Sequence, residues 1–126
     1  MSKIIDDLMY SKEHEWIKAV GDIITIGITD FAQSELGDII FVEMPESGTE
    51  IKKDEPFGTI EAVKTVTDLV SPVNGKLMEI NPELEDNPEL VNQDCYNKGW
   101  FAKIKLEDLS ELDDLLNPEE YKAIID

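Results

Sequence analysis

Lys64 is the residue whose type and setting most clearly suggest chemistry. It stands between two β-patterned runs, residues 56–62 and 65–70, in the stretch Gly58-Thr-Ile-Glu-Ala-Val-Lys-Thr-Val-Thr-Asp-Leu-Val-Ser-Pro-Val-Asn-Gly75. A lysine at the tip of a tight hairpin is held out on a rigid scaffold, within reach of a modifying enzyme. That geometry suits a covalently attached prosthetic arm. A solvated lysine with no special role would occupy the same position, so the rest of the chain must decide.

Catalysis by Lys64 itself is disfavoured. A Schiff-base lysine must be neutral to attack, which takes deep burial or neighbouring positive charge. An exposed tip beside Glu61 and Asp68 offers neither. Acylation by another enzyme needs only access. It also removes the charge, so a modified arm can lie in an apolar groove where an ammonium would be costly to bury.

Other catalytic readings find little support. His14 is the only histidine and Cys95 the only cysteine, so no His- or Cys-built metal cluster can form. His14, in Glu13-His-Glu15, could line a site beside an arm, though a surface role is the plainer reading. Cys95 reads as a structural thiol. No nucleophile-elbow pattern surrounds Ser11, Ser34 or Ser71, and there is no glycine-rich phosphate loop. No catalytic residues and no metal are expected.

Composition narrows the partners. The chain has 126 residues, with 29 acidic against 11 basic side chains and a net charge of −18. All the basic residues are lysines. Without arginine for bidentate phosphate and base contacts, a nucleic-acid partner is not expected. An anionic membrane surface would repel the chain, and basic patches on partner proteins would attract it. The N-terminal residues lack the apolar core of a signal peptide and the basic character of a transit peptide. A cytoplasmic location is expected.

Short strands must position Lys64. Residues 15–19 and 23–26 flank Gly21-Asp22, a hairpin signal. Residues 29–36 read as a helix with a polar start and a stop at Gly37. Residues 38–44, 76–80 and 100–106 read as further strands. A loose repeat, Gly21-Asp-Ile-Ile, Gly37-Asp-Ile-Ile and Gly75-Lys-Leu-Met, fits a two-halved β-sandwich or flattened barrel. Leu109, Leu112, Leu115 and Leu116 suggest a helix, followed at Asn117-Pro118 by a second with Asn117 as N-cap. One domain is expected: a β core with short helices over 1–106 and a helical segment over 107–126.

Glu61-Ala-Val-Lys-Thr-Val-Thr-Asp68, followed by Ser71-Pro-Val-Asn-Gly75, resembles the lipoyl-lysine region of the glycine cleavage system H-protein family. His14-Glu-Trp16, Gly27-Ile-Thr-Asp-Phe-Ala-Gln33 and Leu36-Gly-Asp-Ile-Ile-Phe-Val-Glu43 are similar to its signatures. So are Pro88-Glu-Leu-Val-Asn92, Gly99-Trp100 and the C-terminal Asp113-Asp-Leu-Leu-Asn-Pro-Glu-Glu-Tyr-Lys122. Ala62, Thr65 and Cys95 depart from residues common among relatives, and none of these departures falls on Lys64 or Glu61.

The resemblance implies a mainly β, lipoyl/biotinyl-type barrel-sandwich hybrid with short helices and a C-terminal helical segment. It implies a non-catalytic carrier with lipoate attached through an amide at Lys64. Such a carrier shuttles the aminomethyl group of glycine from the pyridoxal-phosphate P protein to the tetrahydrofolate-dependent T protein. The flavin-dependent L protein then reoxidises it, and a lipoate-attaching enzyme completes the partners. By position, Glu61, Asp68 and Glu15 are candidates for the surroundings of the arm. A biotinyl domain usually flanks its lysine with methionines, whereas Lys64 has Val63 and Thr65. A lipoyl donor to other complexes and an unmodified acidic interaction module are the remaining alternatives.

Overall fold

Nine strands and four α-helices make up the computed structural model, which describes residues 3–125. A six-stranded antiparallel sheet runs in the order β1 (Met9–Tyr10), β2 (Glu15–Val20), β3 (Ile23–Ile28), β9 (Ala102–Leu106), β8 (Gly75–Ile80) and β5 (Glu50–Ile51). A second, three-stranded sheet has β6 (Pro56–Ala62) between β4 (Ile39–Glu43) and β7 (Val66–Val70).

Strand alternation explains why the two sheets pack together. Ile24, Ile104 and Leu77 form one cross-strand row on the large sheet, and all three are fully buried. Ile39, Ile60, Ala62 and Leu69 face inward from the small sheet into the same core. Each fully buried aliphatic side chain contributes about 1.5–3 kcal/mol of transfer free energy. A separate cluster joins Leu8, Tyr10, Trp16 and Tyr121. Trp16 lies directly opposite Gly27, where a Cβ would come within 2.5 Å of the indole nitrogen. Only glycine leaves room for the ring.

The helices are short. In α1 (Asp30–Leu36), the N-cap Thr29 accepts the Ala32 N–H at 3.2 Å, and Gly37 ends the helix at φ 80°. The expectation from its polar start and glycine stop is met there. Helices α2 (Glu83–Asp86) and α3 (Leu90–Gln93) each have four residues and no apolar period long enough to announce them.

The leucine run before Asn117 differs from the expected helix. Residues Leu109–Asp114 form a 3-10 helix, and Leu109 is exposed. Leu109, Leu112 and Leu115 repeat every three residues, which matches the 3-10 turn as well as the α-helical one. The chain then leaves the helix because Leu116 exchanges two backbone hydrogen bonds with Tyr10, at 2.7 and 2.9 Å. Beyond it, α4 (Pro118–Ile125) starts where expected. Asn117 Oδ1 accepts the Glu120 N–H at 2.8 Å, and Glu120 Oε1 accepts the Asn117 N–H at 3.0 Å, a reciprocal capping box. The last strand also starts later than expected, at Ala102, with Trp100 outside it. No helix among the described residues is long and apolar enough to cross a membrane.

Candidate functional site

Strands β6 and β7 place Lys64 at the end of the small sheet. Their register pairs Glu61 with Val66 and Thr59 with Asp68. The Ala62 N–H donates to the Thr65 carbonyl at 2.8 Å, closing the turn around Val63 and Lys64. The Val63 N–H donates to the Asp38 carbonyl at 3.0 Å, which ties the tip to the start of β4. Neither turn residue has positive φ, so the tip needs no glycine. Val63 and Lys64 are both exposed.

The lysine side chain lies against the end of α1. A Cβ on Gly37 would come within 2.7 Å of Lys64 Cε. Asn92, on α3, holds this corner from behind. Its amide nitrogen donates to the Gly37 carbonyl at 2.8 Å and to Gln33 Oε1 at 3.0 Å. Its Oδ1 accepts the Ile39 N–H at 2.8 Å. One buried-side amide thus fixes the helix end, the strand start and the surface beneath Lys64.

A groove of about 310 Å³ runs between α1 and the edge strand β7. Phe31, Ala32 and Leu36 form one wall, and Ile60 and Leu69 line the other. Leu36 marks the end near Lys64, and His14 and Glu15 mark the end near the start of α1, where the Thr29 N–H donates to the His14 carbonyl. Seven helical residues rise about 10 Å, so the groove is on the scale of an extended side-chain arm. A larger cavity of about 550 Å³ lies at the far ends of the same strands, around Met44, Phe57 and Gly58. Lys64 lines neither, but only the smaller groove has a buried carboxyl, that of Glu15, at its wall and ends at Leu36, next to the Gly37 on which Lys64 rests, so it is the better candidate.

Glu15 is the unusual group in this groove. It is 1% exposed, and burial pushes its carboxyl up to about 8, against a partial downward pull from the Ser11 hydroxyl and a further push from Glu13. Ser11 donates to Oε1 at 2.9 Å. Oε2 is buried and has no hydrogen-bond partner among the described residues. A buried polar atom without a partner costs about 1–3 kcal/mol and marks a place where something polar is expected to arrive.

His14 shapes the same end of the groove. Its φ is 64°, a left-handed conformation that costs a histidine of the order of 1 kcal/mol. Nδ1 lies 2.9 Å from the Tyr121 hydroxyl, which lies 2.6 Å from Thr29 Oγ1. Phe31 packs on the imidazole with ring centroids 4.9 Å apart. The buried Tyr121 is itself stacked on Tyr10, at 4.6 Å and 7°. Helix α4 therefore supports the groove from outside.

Comparison with known proteins decides the family. The model of the glycine cleavage H-protein family matches residues 8–126. The glycine cleavage system H protein of Halalkalibacterium halodurans is 54% identical over 125 residues, covering 99% of this chain and 98% of that protein. The Staphylococcus carnosus protein of the same name is 57% identical over 120 residues, with 95% of each chain covered. The chain belongs to the glycine cleavage H-protein family. A crystal structure of a glycine cleavage system H protein from Mycobacterium marinum superposes with a TM-score of 0.87 at 34% identity, covering 95% of this chain and 97% of that one. The H-protein fold, a mainly β lipoyl-type barrel-sandwich hybrid with short helices, is the fold of this chain.

In this H-protein scaffold the four sequence candidates separate. Lys64 stands at the tip and Glu15 at the buried end of the groove. Asp68 is exposed on the edge strand and lines both the groove and the larger cavity. Glu61 does not line the groove. It lies on the outer face of β6, between Phe41 on β4 and Val66 on β7. Neither Glu61 nor Asp68 forms an ion pair with Lys64 among the described residues. Ser11, Asn92 and Tyr121 were not read from sequence as part of the site, and Gly37 was read only as a helix stop. Three fall inside the H-protein motifs, and only distant contacts reveal their roles. His14, for which a surface role was the plainer reading, is half-buried in the groove wall.

Proposed function

We propose that Lys64 carries lipoate through an amide and that the whole chain works as a single lipoyl-carrier domain of glycine cleavage. One observation supports this above the others. Within an H-protein scaffold, an exposed lysine on a hairpin tip lies against Gly37, next to Leu36 at one end of a groove whose other end holds the buried Glu15, with one carboxyl oxygen unpartnered among the described residues.

The residues present fit such a group. Phe31, Leu36 and Ile60 offer an uncharged arm an apolar wall, and Glu15 Oε2 offers a polar end. When attached, lipoate supplies a dithiolane that accepts the aminomethyl group of glycine and is reoxidised after the carbon has been passed on. The chain's own residues do the rest. The Ala62–Thr65 turn presents Lys64 Nζ to the attaching enzyme. Tethering then replaces free diffusion with an effective concentration in the millimolar range. The groove walls restrict water, and Glu15 can accept a hydrogen bond from an amine. Asp68, exposed at the rim, adds negative charge favourable to a cationic amine.

The chain itself performs no catalysis in this reading. Its partners are a pyridoxal-phosphate P protein, a folate-dependent T protein, a flavin-dependent L protein and a lipoate-attaching enzyme, met in the cytoplasm. Exchange of glycine carboxyl carbon with labelled bicarbonate, driven by a P protein, tests it. Exchange should require the lipoylated chain and vanish with Lys64→Arg. Equal exchange with the unmodified chain would overturn the proposal.

A further inference from the structure

The proton positions around Ser11 are constrained by its neighbours. Its oxygen accepts two backbone N–H groups, those of Glu13 and Glu15, both at 3.2 Å. Its backbone is fixed as well, since the Ser11 N–H donates to the Glu15 carbonyl and the His14 N–H donates to the Ser11 carbonyl. A hydroxyl has one proton and two lone pairs. With both lone pairs facing N–H donors, the remaining O–H bond is free to point at Glu15 Oε1, 2.9 Å away. Oε1 is therefore always an acceptor. Oε2 is the oxygen left without a partner, in a side chain that lines both the groove and a neighbouring cavity of about 260 Å³.

We infer that Ser11 is a positioning residue for Glu15: by holding Oε1, it makes Oε2 the single atom through which the carboxyl exchanges its proton or receives a cationic amine. A proton on Glu15 must then sit on Oε2, and an incoming ammonium must donate there after that proton has left. A ligand that binds the ionised carboxyl must bring a hydrogen-bond donor to Oε2, and it meets a carboxyl anchored at its other oxygen by Ser11. The lone Ser11 donor also opposes the effect of burial, so it keeps Glu15 ionisable in a setting that favours the neutral acid.

Other charges face Glu15 from several elements. On the groove side these are Glu13, His14, Glu35 and Asp68. Across the neighbouring cavity they are Lys12, Lys53, Asp54 and Asp114, and Lys53 is already paired with Asp114 at 3.1 Å. Of these groups, Glu13 is the one whose charge disfavours ionisation of Glu15. Among the described residues, Ser11 is the only side chain that donates a hydrogen bond to it.

The inference concerns Glu15 alone and does not need Lys64 to be lipoylated. It is tested on the unmodified full chain by carbon-13 NMR titration of glutamate carboxyls, with Glu15 assigned by its loss in Glu15→Gln. Ser11→Ala should raise the Glu15 titration midpoint by about one unit, a tenfold gain in proton affinity, and Ser11→Thr should return it to the wild-type value. A merely structural Ser11 would leave the midpoint in place while lowering stability. An unchanged or lowered midpoint in Ser11→Ala, or a Ser11→Thr protein that titrates like Ser11→Ala, would overturn the inference. If Ser11→Ala does not fold, Ser11→Cys carries the test, since its S–H is a weak donor of similar shape. Its midpoint should lie above wild type, and a midpoint at or below wild type would overturn the inference.

Discussion

Lys64 Cε occupies the space that a Cβ on Gly37 would need, so the lysine arm rests on the one backbone position in α1's exit that has no side chain. Gly37 combines φ 80° with ψ −156°, a region essentially confined to glycine. Backbone shape and surface clearance are therefore required at the same residue. Gly37→Ala should lower stability by about 1–3 kcal/mol in chemical denaturation. It should also displace the lysine, which a slower acylation of Lys64 by a lipoate-attaching enzyme would reveal. A fully stable variant modified at the wild-type rate would show that the contact has no consequence.

Asn92 should matter more than its place on a four-residue helix suggests. Asn92→Ala leaves the Gly37 carbonyl and the Ile39 N–H without their side-chain partner. The expected loss is about 1–3 kcal/mol. Hydrogen exchange should speed up at Ile39, whose N–H the Asn92 side chain accepts, more than at Ile24 in the large sheet.

Much of this arrangement was legible in sequence wherever a local signal coincided with the tertiary one. Thr29 and Gly37 bracket α1 because capping chemistry acts within a few residues. The Asn117-Pro118 start of α4 is readable for the same reason. The strands around Lys64 follow from alternation and an intervening turn. Legibility fails where the deciding contact is distant. The leucine run before Asn117 becomes a 3-10 helix because Leu116 must pair with Tyr10, over a hundred residues earlier. Glu61 and Asp68 are both close to Lys64 in sequence and share the outer face of the small sheet, but Glu61 is on the central strand β6 and Asp68 on the edge strand β7, at the rim of the groove. Burial of Glu15 needs Ser11, β7 and α1 together, and no spacing rule encodes that.

The raised carboxyl of Glu15 gives stability a defined pH dependence. Its midpoint is about 8 in the folded chain against an ordinary 4.5. The folded state therefore holds the proton more tightly than the unfolded state. The contribution is fully present below pH 4.5 and is lost as pH rises through about 8. At ~1.4 kcal/mol per unit, the loss is of the order of a few kcal/mol. Glu15→Gln mimics the neutral acid and should become progressively more stable than wild type between pH 5 and pH 8. Urea denaturation across that range checks it, and a constant difference would contradict it.

Tyr121 should couple the C-terminal helix to the groove. Tyr121→Phe keeps the stack on Tyr10 but removes the hydroxyl shared by Thr29 and His14. A loss of about 1–2 kcal/mol is expected. The His14 ring resonances should broaden or shift as its anchor disappears. Unchanged His14 signals would show that the strained backbone alone sets its position.

The central claim is that Lys64 is the attachment point of a lipoyl arm. Intact mass and peptide mapping, before and after incubation with lipoate ligase, lipoate and ATP, test it most directly. The account predicts a single lipoyl increment located on Lys64 and absent from Lys64→Arg. No increment, an increment on another lysine, or a biotinyl increment in its place would contradict it.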